Sequence, residues 1–171
     1  MNNSALTPNS LAFIALCNEY CATIEHVGER EKIDVVNALL RLLPRLYISA
    51  ADLRIDSGGE EDAYLESIHE EDYYESVRRG IENLMGADDV YLEVFEEDMK
   101  YSDTPIGASI SESLADIFQV LYNFVGMVKD APDHLIPYAL IAVRDDFQGY
   151  WSRTLCNVMR ALNHLRYSMP E

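Results

Sequence analysis

Residues 147–165 place apolar side chains at the spacing of an α-helix, and this pattern constrains the fold more than any other feature of the chain. At about 100° per residue, six apolar residues fall within an arc of roughly 80°. An arc of similar width on the opposite side carries polar side chains. The sequence therefore predicts a long amphipathic helix over about 133–168, buried on one side. The apolar arc holds Phe147, Trp151, Leu155, Val158, Leu162 and Leu165, and the polar arc holds Asp146, Tyr150, Arg153, Asn157, Arg160 and His164.

Capping and turn residues divide the rest of the chain into four further helices. Thr7 followed by Pro8 indicates an N-cap and the first position of a helix, because the N–H that Pro8 lacks would have no partner there. Ser109-x-x-Glu112 is a capping box, which opens another helix. Pro44 falls inside a helix and removes a backbone hydrogen bond, so we expect a kink or a restart at that point. The predicted helices cover about 8–27, 29–53, 67–85, 110–129 and 133–168.

Between residues 86 and 108 the helical pattern fails. Val90, Leu92 and Val94 alternate with other side chains, which is compatible with a short strand or extended segment near 90–95. No repeat and no linker rich in Pro, Gly or Ser divides the 171 residues. The sequence therefore predicts one all-α domain over residues 1–171, a bundle of about five helices with an acidic, partly irregular middle segment.

The net charge of −17 is concentrated in that middle segment. Residues 54–103 carry seventeen acids and four bases, a net charge of −13, whereas the segments before and after carry −2 each. Phosphate groups are bound by Lys and Arg, so this field excludes nucleic acid and anionic membrane surfaces as partners. It favours a basic protein. The residues that we expect to face such a partner are Glu60, Glu61, Glu70, Glu71 and Asp72.

Local helix physics explains part of the acidic run at 70–77. Glu75 precedes Arg78 and Arg79 by three and four residues, the order in which such pairs stabilise a helix. Acids near the start of a helix also interact favourably with its dipole. The run is therefore typical of a solvated helix face, and the surrounding excess of acids leaves a partner-docking face and a cation site as the other interpretations.

Carboxylates one helical turn apart provide the candidates for a metal site, which are Glu71, Glu75, Glu112 and Asp116. The spacing Glu71-Asp72-x-x-Glu75 resembles half of the magnesium-binding pattern of the all-α nucleotide pyrophosphohydrolases, but the second half does not follow. Magnesium requires several oxygens in an octahedron, and two acids supply only part of it. We expect no metal and no other cofactor, and a metal-dependent hydrolase remains the alternative.

The polar arc of the last helix has two interpretations. Its donors Arg153, Asn157, Arg160 and His164 could bind an anionic ligand. The second interpretation is a solvated face that pairs with acids of the preceding helix. The tight connection between these helices makes them antiparallel and brings Arg153 within a turn of Glu112, so we expect a structural ion pair there.

The cysteines and the N-terminus indicate the cellular compartment of the protein. Three cysteines are an odd number, and a chain of this length needs no disulfides, so reduced thiols are expected. Cys17 and Cys21 lie one turn apart in an apolar helix, which is typical of small core residues. The longest apolar run, residues 11–17, is too short to span a bilayer and has no basic residues before it. We therefore expect a cytoplasmic protein without a membrane span.

Several runs of the sequence resemble a known family. They are YWSRTLCNVMRALNHLRY at 150–167, LLRLLPRLY at 39–47 and YLEVFEED at 91–98. These runs are similar to an uncharacterised bacterial helical family, domain of unknown function 5063, over most of the chain. The resemblance implies a helical fold and carries no activity.

The sequence contains no glycine-rich phosphate loop and no Gly-x-Ser-x-Gly nucleophile elbow. It therefore favours a non-catalytic interaction or regulatory module whose acidic face binds a basic protein. The alternative is a metal-dependent hydrolase or a small-ligand binder that uses the carboxylates on its helices. Neither the identity of a partner nor the oligomeric state follows from the sequence.

Overall fold

The computed structural model of the protein describes residues 6–55, 71–93 and 106–169. Within these ranges the chain is almost entirely helical, and a five-residue π-helical turn, Phe147–Trp151, joins the last two helical stretches into one arm over 136–168. The predicted all-α class with about five helices is therefore confirmed. The elements are α1 (Pro8–Glu25), α2 (Lys32–Ala51), α3 (Glu71–Met85), β1 (Val90–Leu92), β2 (Gly107–Ser109), α4 (Ile110–Asp130), α5 (Ile136–Asp146) and α6 (Ser152–Ser168).

Two helix starts follow the predicted caps. The hydroxyl of Thr7 accepts a hydrogen bond from the backbone N–H of Ser10 at 3.0 Å, and Pro8 takes the first helical position of α1. The hydroxyl of Ser109 accepts from the N–H of Glu112 at 3.1 Å and opens α4. These bonds satisfy N–H groups that have no partner within the helix. The predicted start of the third helix at 67–70 lies outside the described residues.

Of the two outcomes expected at Pro44, a kink or a restart of the second helix, the restart is wrong. Helix α2 continues through Pro44 from Lys32 to Ala51. Leu42, Leu43 and Leu46, which flank the proline, are all buried in the core. Burial of each such side chain contributes about 1.5–3 kcal/mol, so the packed face on both sides outweighs the hydrogen bond that the proline removes.

The core lies where α1, α2, α4 and the 136–168 arm meet. The predicted apolar arc of the last helix is buried, with Trp151 fully enclosed. The indole N–H of Trp151 donates to the backbone carbonyl of Val143 at 3.1 Å, and the hydroxyl of Tyr20 donates to the carbonyl of Leu114 at 2.6 Å. The two large aromatic side chains therefore bury their apolar rings without leaving a polar atom unpaired.

A small antiparallel sheet connects α3 to α4. Strand β1, which falls within the extended segment expected near 90–95, pairs Val90 with Ser109 and Leu92 with Gly107. The partner strand β2 was not predicted, since a three-residue run of Gly, Ala and Ser has no strand signature. The sheet places β2 at the start of α4, beside the polar side of α6.

Candidate functional site

A polar groove runs between α4 and α6, and β2 lines one end of it. Its volume is about 410 Å³. We call it the α4–α6 groove. It brings together four residues that the sequence nominated on separate grounds, Glu112 and Asp116 on α4 and Arg153 and Asn157 on α6. The remaining lining is Glu93, Ile106, Gly107, Ala108, Ser109, Ser113, Tyr150 and Thr154.

Asp116 is the best-anchored side chain of the groove. Its Oδ1 accepts a hydrogen bond from the hydroxyl of Tyr74 on α3 at 2.6 Å. Its Oδ2 accepts from the hydroxyl of Tyr150, in the π-turn, at 3.0 Å. One half-buried carboxylate thus fixes side chains from two other elements. Sequence reasoning nominated Asp116 as a candidate metal ligand but could not find these phenols, which lie 42 and 34 residues away.

The same contacts change the acidity of the phenols. Burial raises the pKa of Tyr74, and the hydrogen bond to the Asp116 carboxylate raises it further. Burial also raises the pKa of Tyr150, with the negative charge of Asp116 as the next cause. A phenol that donates to a carboxylate would leave two negative charges side by side if it ionised. Both phenols therefore remain hydrogen-bond donors at neutral pH.

The α6 wall carries donors that have no partner among the residues that the structure describes. Arg153 is exposed and Asn157 is half-buried. Within the ranges that the structure describes, neither side chain forms a hydrogen bond or an ion pair. The predicted ion pair between Arg153 and Glu112 is therefore wrong. Tyr150, and not Arg153, reaches across to α4, so the guanidinium and the Glu112 carboxylate face each other across an open groove.

The π-turn at 147–151 sets the orientation of the α6 wall. Its buried members Phe147 and Trp151 pack edge to face, with ring centroids 4.6 Å apart. Tyr150 lies between them in sequence and points to the groove, where it reaches Asp116. π-turns are rare and occur frequently at functional sites. The long helical pattern in the sequence does not reveal this one.

Arg160 and His164 belong to a different surface. They line a second pocket of about 430 Å³ together with β1 and the floor residues Ala161 and Leu165. The guanidinium of Arg160 donates to the backbone carbonyl of Leu92. The four donors predicted as one stripe are therefore divided between two pockets, with only Arg153 and Asn157 in the α4–α6 groove.

The acids of α3 and the turn after it are mostly used within the protein. Glu75 pairs with Arg78 at 3.1 Å, and this hydrogen bond lowers the pKa of Glu75. Asp88 pairs with Lys32 at 2.9 Å. In contrast, Glu71 and Asp72 are exposed and form no ion pair with any described residue. The other three candidates for a partner-binding face, Glu60, Glu61 and Glu70, lie outside the described residues.

The candidate metal ligands do not form one cluster. Glu75 is held by Arg78, while Glu112 and Asp116 lie in the groove. Across the described ranges, no three side chains of His, Cys, Asp or Glu come together in a way that could hold a metal ion. In the same ranges, no helix is both long enough and apolar enough to cross a membrane.

Comparisons with known proteins agree with the fold. The family described as Domain of unknown function (DUF5063) matches residues 4–168. The chain is also similar to the crystal structure of protein BF1032 from Bacteroides fragilis, with 26% sequence identity, a TM-score of 0.79 and coverage of 95% of each chain. No curated protein matches it. The resemblance expected from the sequence is thus confirmed, and no activity comes with it.

Proposed function

For a chain that belongs to the DUF5063 family, we propose a non-catalytic binding function in which the α4–α6 groove holds a small polar ligand. One observation carries this proposal: Arg153 and Asn157 face Glu112 across the groove, and the Arg153 guanidinium has no hydrogen-bond or ion-pair partner among the described residues. The groove volume of about 410 Å³ lies in the range of small-molecule sites, roughly 300–1,000 Å³.

The lining supports binding more than catalysis. Asp116 has a phenol on each carboxylate oxygen. Both oxygens therefore already accept a hydrogen bond within the protein, whereas a general base must reach the proton that it removes. The described lining contains no histidine or cysteine that could take that role.

Thermal unfolding with and without a collection of small polar metabolites tests the proposal. A ligand at a hundred times its Kd adds about 2.7 kcal/mol, which raises the Tm of a chain of this size by several degrees. We expect a stabilising compound whose effect is lost in Arg153→Gln. The matched control is Arg41→Gln, on the exposed side of α2 and outside the groove lining. Stabilisation that survives in Arg153→Gln would place the ligand elsewhere.

A second candidate function is the docking of a basic protein on the acidic face. It is supported by Glu71 and Asp72, which are exposed and unpaired among the described residues while neighbouring acids pair with Arg78 and Lys32. Attraction between exposed charges is screened over about 8 Å at physiological salt. Capture of such a partner should therefore weaken steeply as salt rises, mainly through slower association.

The docking hypothesis is tested by replacing five acids with amides. The test set is Glu60, Glu61, Glu70, Glu71 and Asp72. The control set, which changes the charge equally at exposed positions elsewhere, is Glu19, Glu31, Asp52, Asp130 and Asp133. A partner that is lost from the test variant and at high salt, but kept by the control, supports docking. Binding that persists in the test variant excludes this face.

We also place the protein in the cytoplasm as part of this proposal. All three cysteines are free, and Cys17 and Cys21 are buried without a disulfide. Free thiols are typical of reducing compartments. Fractionation of cells that express the chain at native level provides the check.

A further inference from the structure

We propose that the ligand of the α4–α6 groove is a small zwitterion, with one ammonium and one carboxylate group, as in a free α-amino acid. This inference rests on the proposed function of the groove and specifies its ligand. It follows from the positions of opposite charges on opposite walls, neither of which is neutralised by the other.

The α6 wall suits a carboxylate. Arg153 and Asn157 are four residues apart on one helix, so their side chains lie on the same face about 6 Å apart along the axis. A guanidinium presents paired N–H donors whose geometry matches a carboxylate, and the Asn157 amide adds a further donor. Since neither group has a described hydrogen-bond partner, a carboxylate can bind both without displacing a protein contact.

The α4 wall suits an ammonium. Glu112 and Asp116 are also one turn apart, and both line the groove. The Glu112 carboxylate has only a long contact, 3.5 Å, with the Ser109 hydroxyl among the described residues. Each carboxylate offers about four lone-pair positions, so Asp116 retains acceptor capacity beside its two phenols. The three N–H donors of an ammonium group can be divided between these two acids.

Ligands with a single charge fit less well. A simple anion at Arg153 would face the three acids of the lining, Glu93, Glu112 and Asp116, and a simple cation at Glu112 would face Arg153. Unlike charges that meet across an interface give specificity, and like charges that meet are penalised. A molecule with both charges satisfies both walls at once, and the volume of about 410 Å³ restricts it to the small end of known ligands.

The test uses the full chain and the twenty common L-amino acids, each at millimolar concentration, in thermal unfolding followed by calorimetric titration. We expect at least one to bind. Two derivatives of that amino acid should each bind at least about tenfold more weakly, because each loses a charged hydrogen bond. The N-acetyl derivative lacks the ammonium charge, and the amide derivative lacks the carboxylate.

Two variants assign the two ends of the ligand. Arg153→Gln should weaken the amino acid at least about tenfold and leave the affinity of the amide derivative nearly unchanged. Glu112→Gln should weaken the amino acid and leave the N-acetyl derivative nearly unchanged. Both variants alter exposed side chains, so the Tm without ligand should match that of the wild type, with Arg41→Gln as the control.

The outcomes separate this inference from the proposed function. Two results would show that the groove is a ligand site but that the ligand is not a zwitterion. One is a derivative with a single charge that binds as well as the amino acid, and the other is Arg153-dependent binding of other polar metabolites only. If no amino acid and no other polar metabolite binds, both proposals fail.

Discussion

The hydroxyl of Tyr150 lies 3.0 Å from Oδ2 of Asp116, and this hydrogen bond joins the π-turn to α4. The other oxygen of the same carboxylate holds Tyr74 of α3 at 2.6 Å. A single acid thereby fixes three elements that are far apart in sequence. Hydrogen bonds to a charged acceptor contribute about 1.5–3 kcal/mol each, so the geometry of the α4–α6 groove depends strongly on Asp116.

The first prediction concerns alkaline pH. The pKa values of Tyr74 and Tyr150 are raised by burial and by Asp116. A group whose pKa is higher in the folded state contributes stability that is fully present below its unfolded pKa, about 10, and is lost as pH rises through its folded pKa. Stability should therefore fall above about pH 10.

The role of Asp116 in this effect is tested by titrating the tyrosines. Asp116→Asn should shift tyrosinate absorbance to lower pH, whereas Asp133→Asn, at an exposed acid elsewhere, should not. Identical titration curves for both variants would contradict the assignment.

The second prediction concerns the buried cap of α4. Asp89 is 6% exposed and accepts from the N–H of Ser111 at 2.8 Å and from its hydroxyl at 2.7 Å. Asp89→Ala leaves these donors unpaired and should cost about 1–3 kcal/mol in urea unfolding. Asp88→Ala removes only a partly exposed ion pair with Lys32, which should cost less than about 1 kcal/mol. Equal losses would show that Asp89 has no special role.

The third prediction concerns the thiols. Cys17 and Cys21 are buried and Cys156 is exposed. Burial raises the pKa of Cys17 and raises that of Cys21 to about 12, and only the thiolate reacts. A thiol reagent should label one site rapidly in the native protein and all three after unfolding. Cys156→Ser should abolish the rapid phase, and its persistence would mean that the first helix opens to solvent.

The fourth prediction concerns Trp151, the single tryptophan of the chain. It is fully buried between Phe13 and Phe147. Its native fluorescence should be blue-shifted and should move to the red on denaturation. Trp151→Ala should cost about 3–5 kcal/mol in unfolding free energy. An emission maximum typical of water in the native protein would contradict the burial of this face.

The buried faces could be predicted because a helix repeats its contacts every few residues. The apolar arc through Trp151 and Leu162, the cap at Ser109 and the core positions of Cys17 and Cys21 were all read from local spacing. The same reasoning nominated Glu112, Asp116, Arg153 and Asn157 as polar candidates, and these meet in one groove. Whether they bind a ligand remains a prediction, as does the single domain.

Contacts between distant residues could not be predicted. Nothing near Tyr74 in the sequence indicates Asp116 as its partner, and Asp89 gives no sign that it caps a helix that starts 21 residues later. The expected pair of Arg153 with Glu112 failed because the position of a side chain across a helix interface depends on rotation about the axis. The π-turn changes that rotation. No residue pattern in the sequence marks a five-residue turn of this kind.

A π-turn corresponds to one residue more than an α-helix of the same extent requires. Deleting Gly149, where an added Cβ would meet no atom within 4 Å, would let 136–168 close into a straight α-helix. Val143 and Trp151 would then be seven residues apart, within about 20° of the same face of that helix, so both would stay in the core. The turn thus lets the chain carry one extra residue while α5 and α6 keep a common buried face. Related chains with this groove should tolerate the loss of one residue here more readily than elsewhere in 136–168.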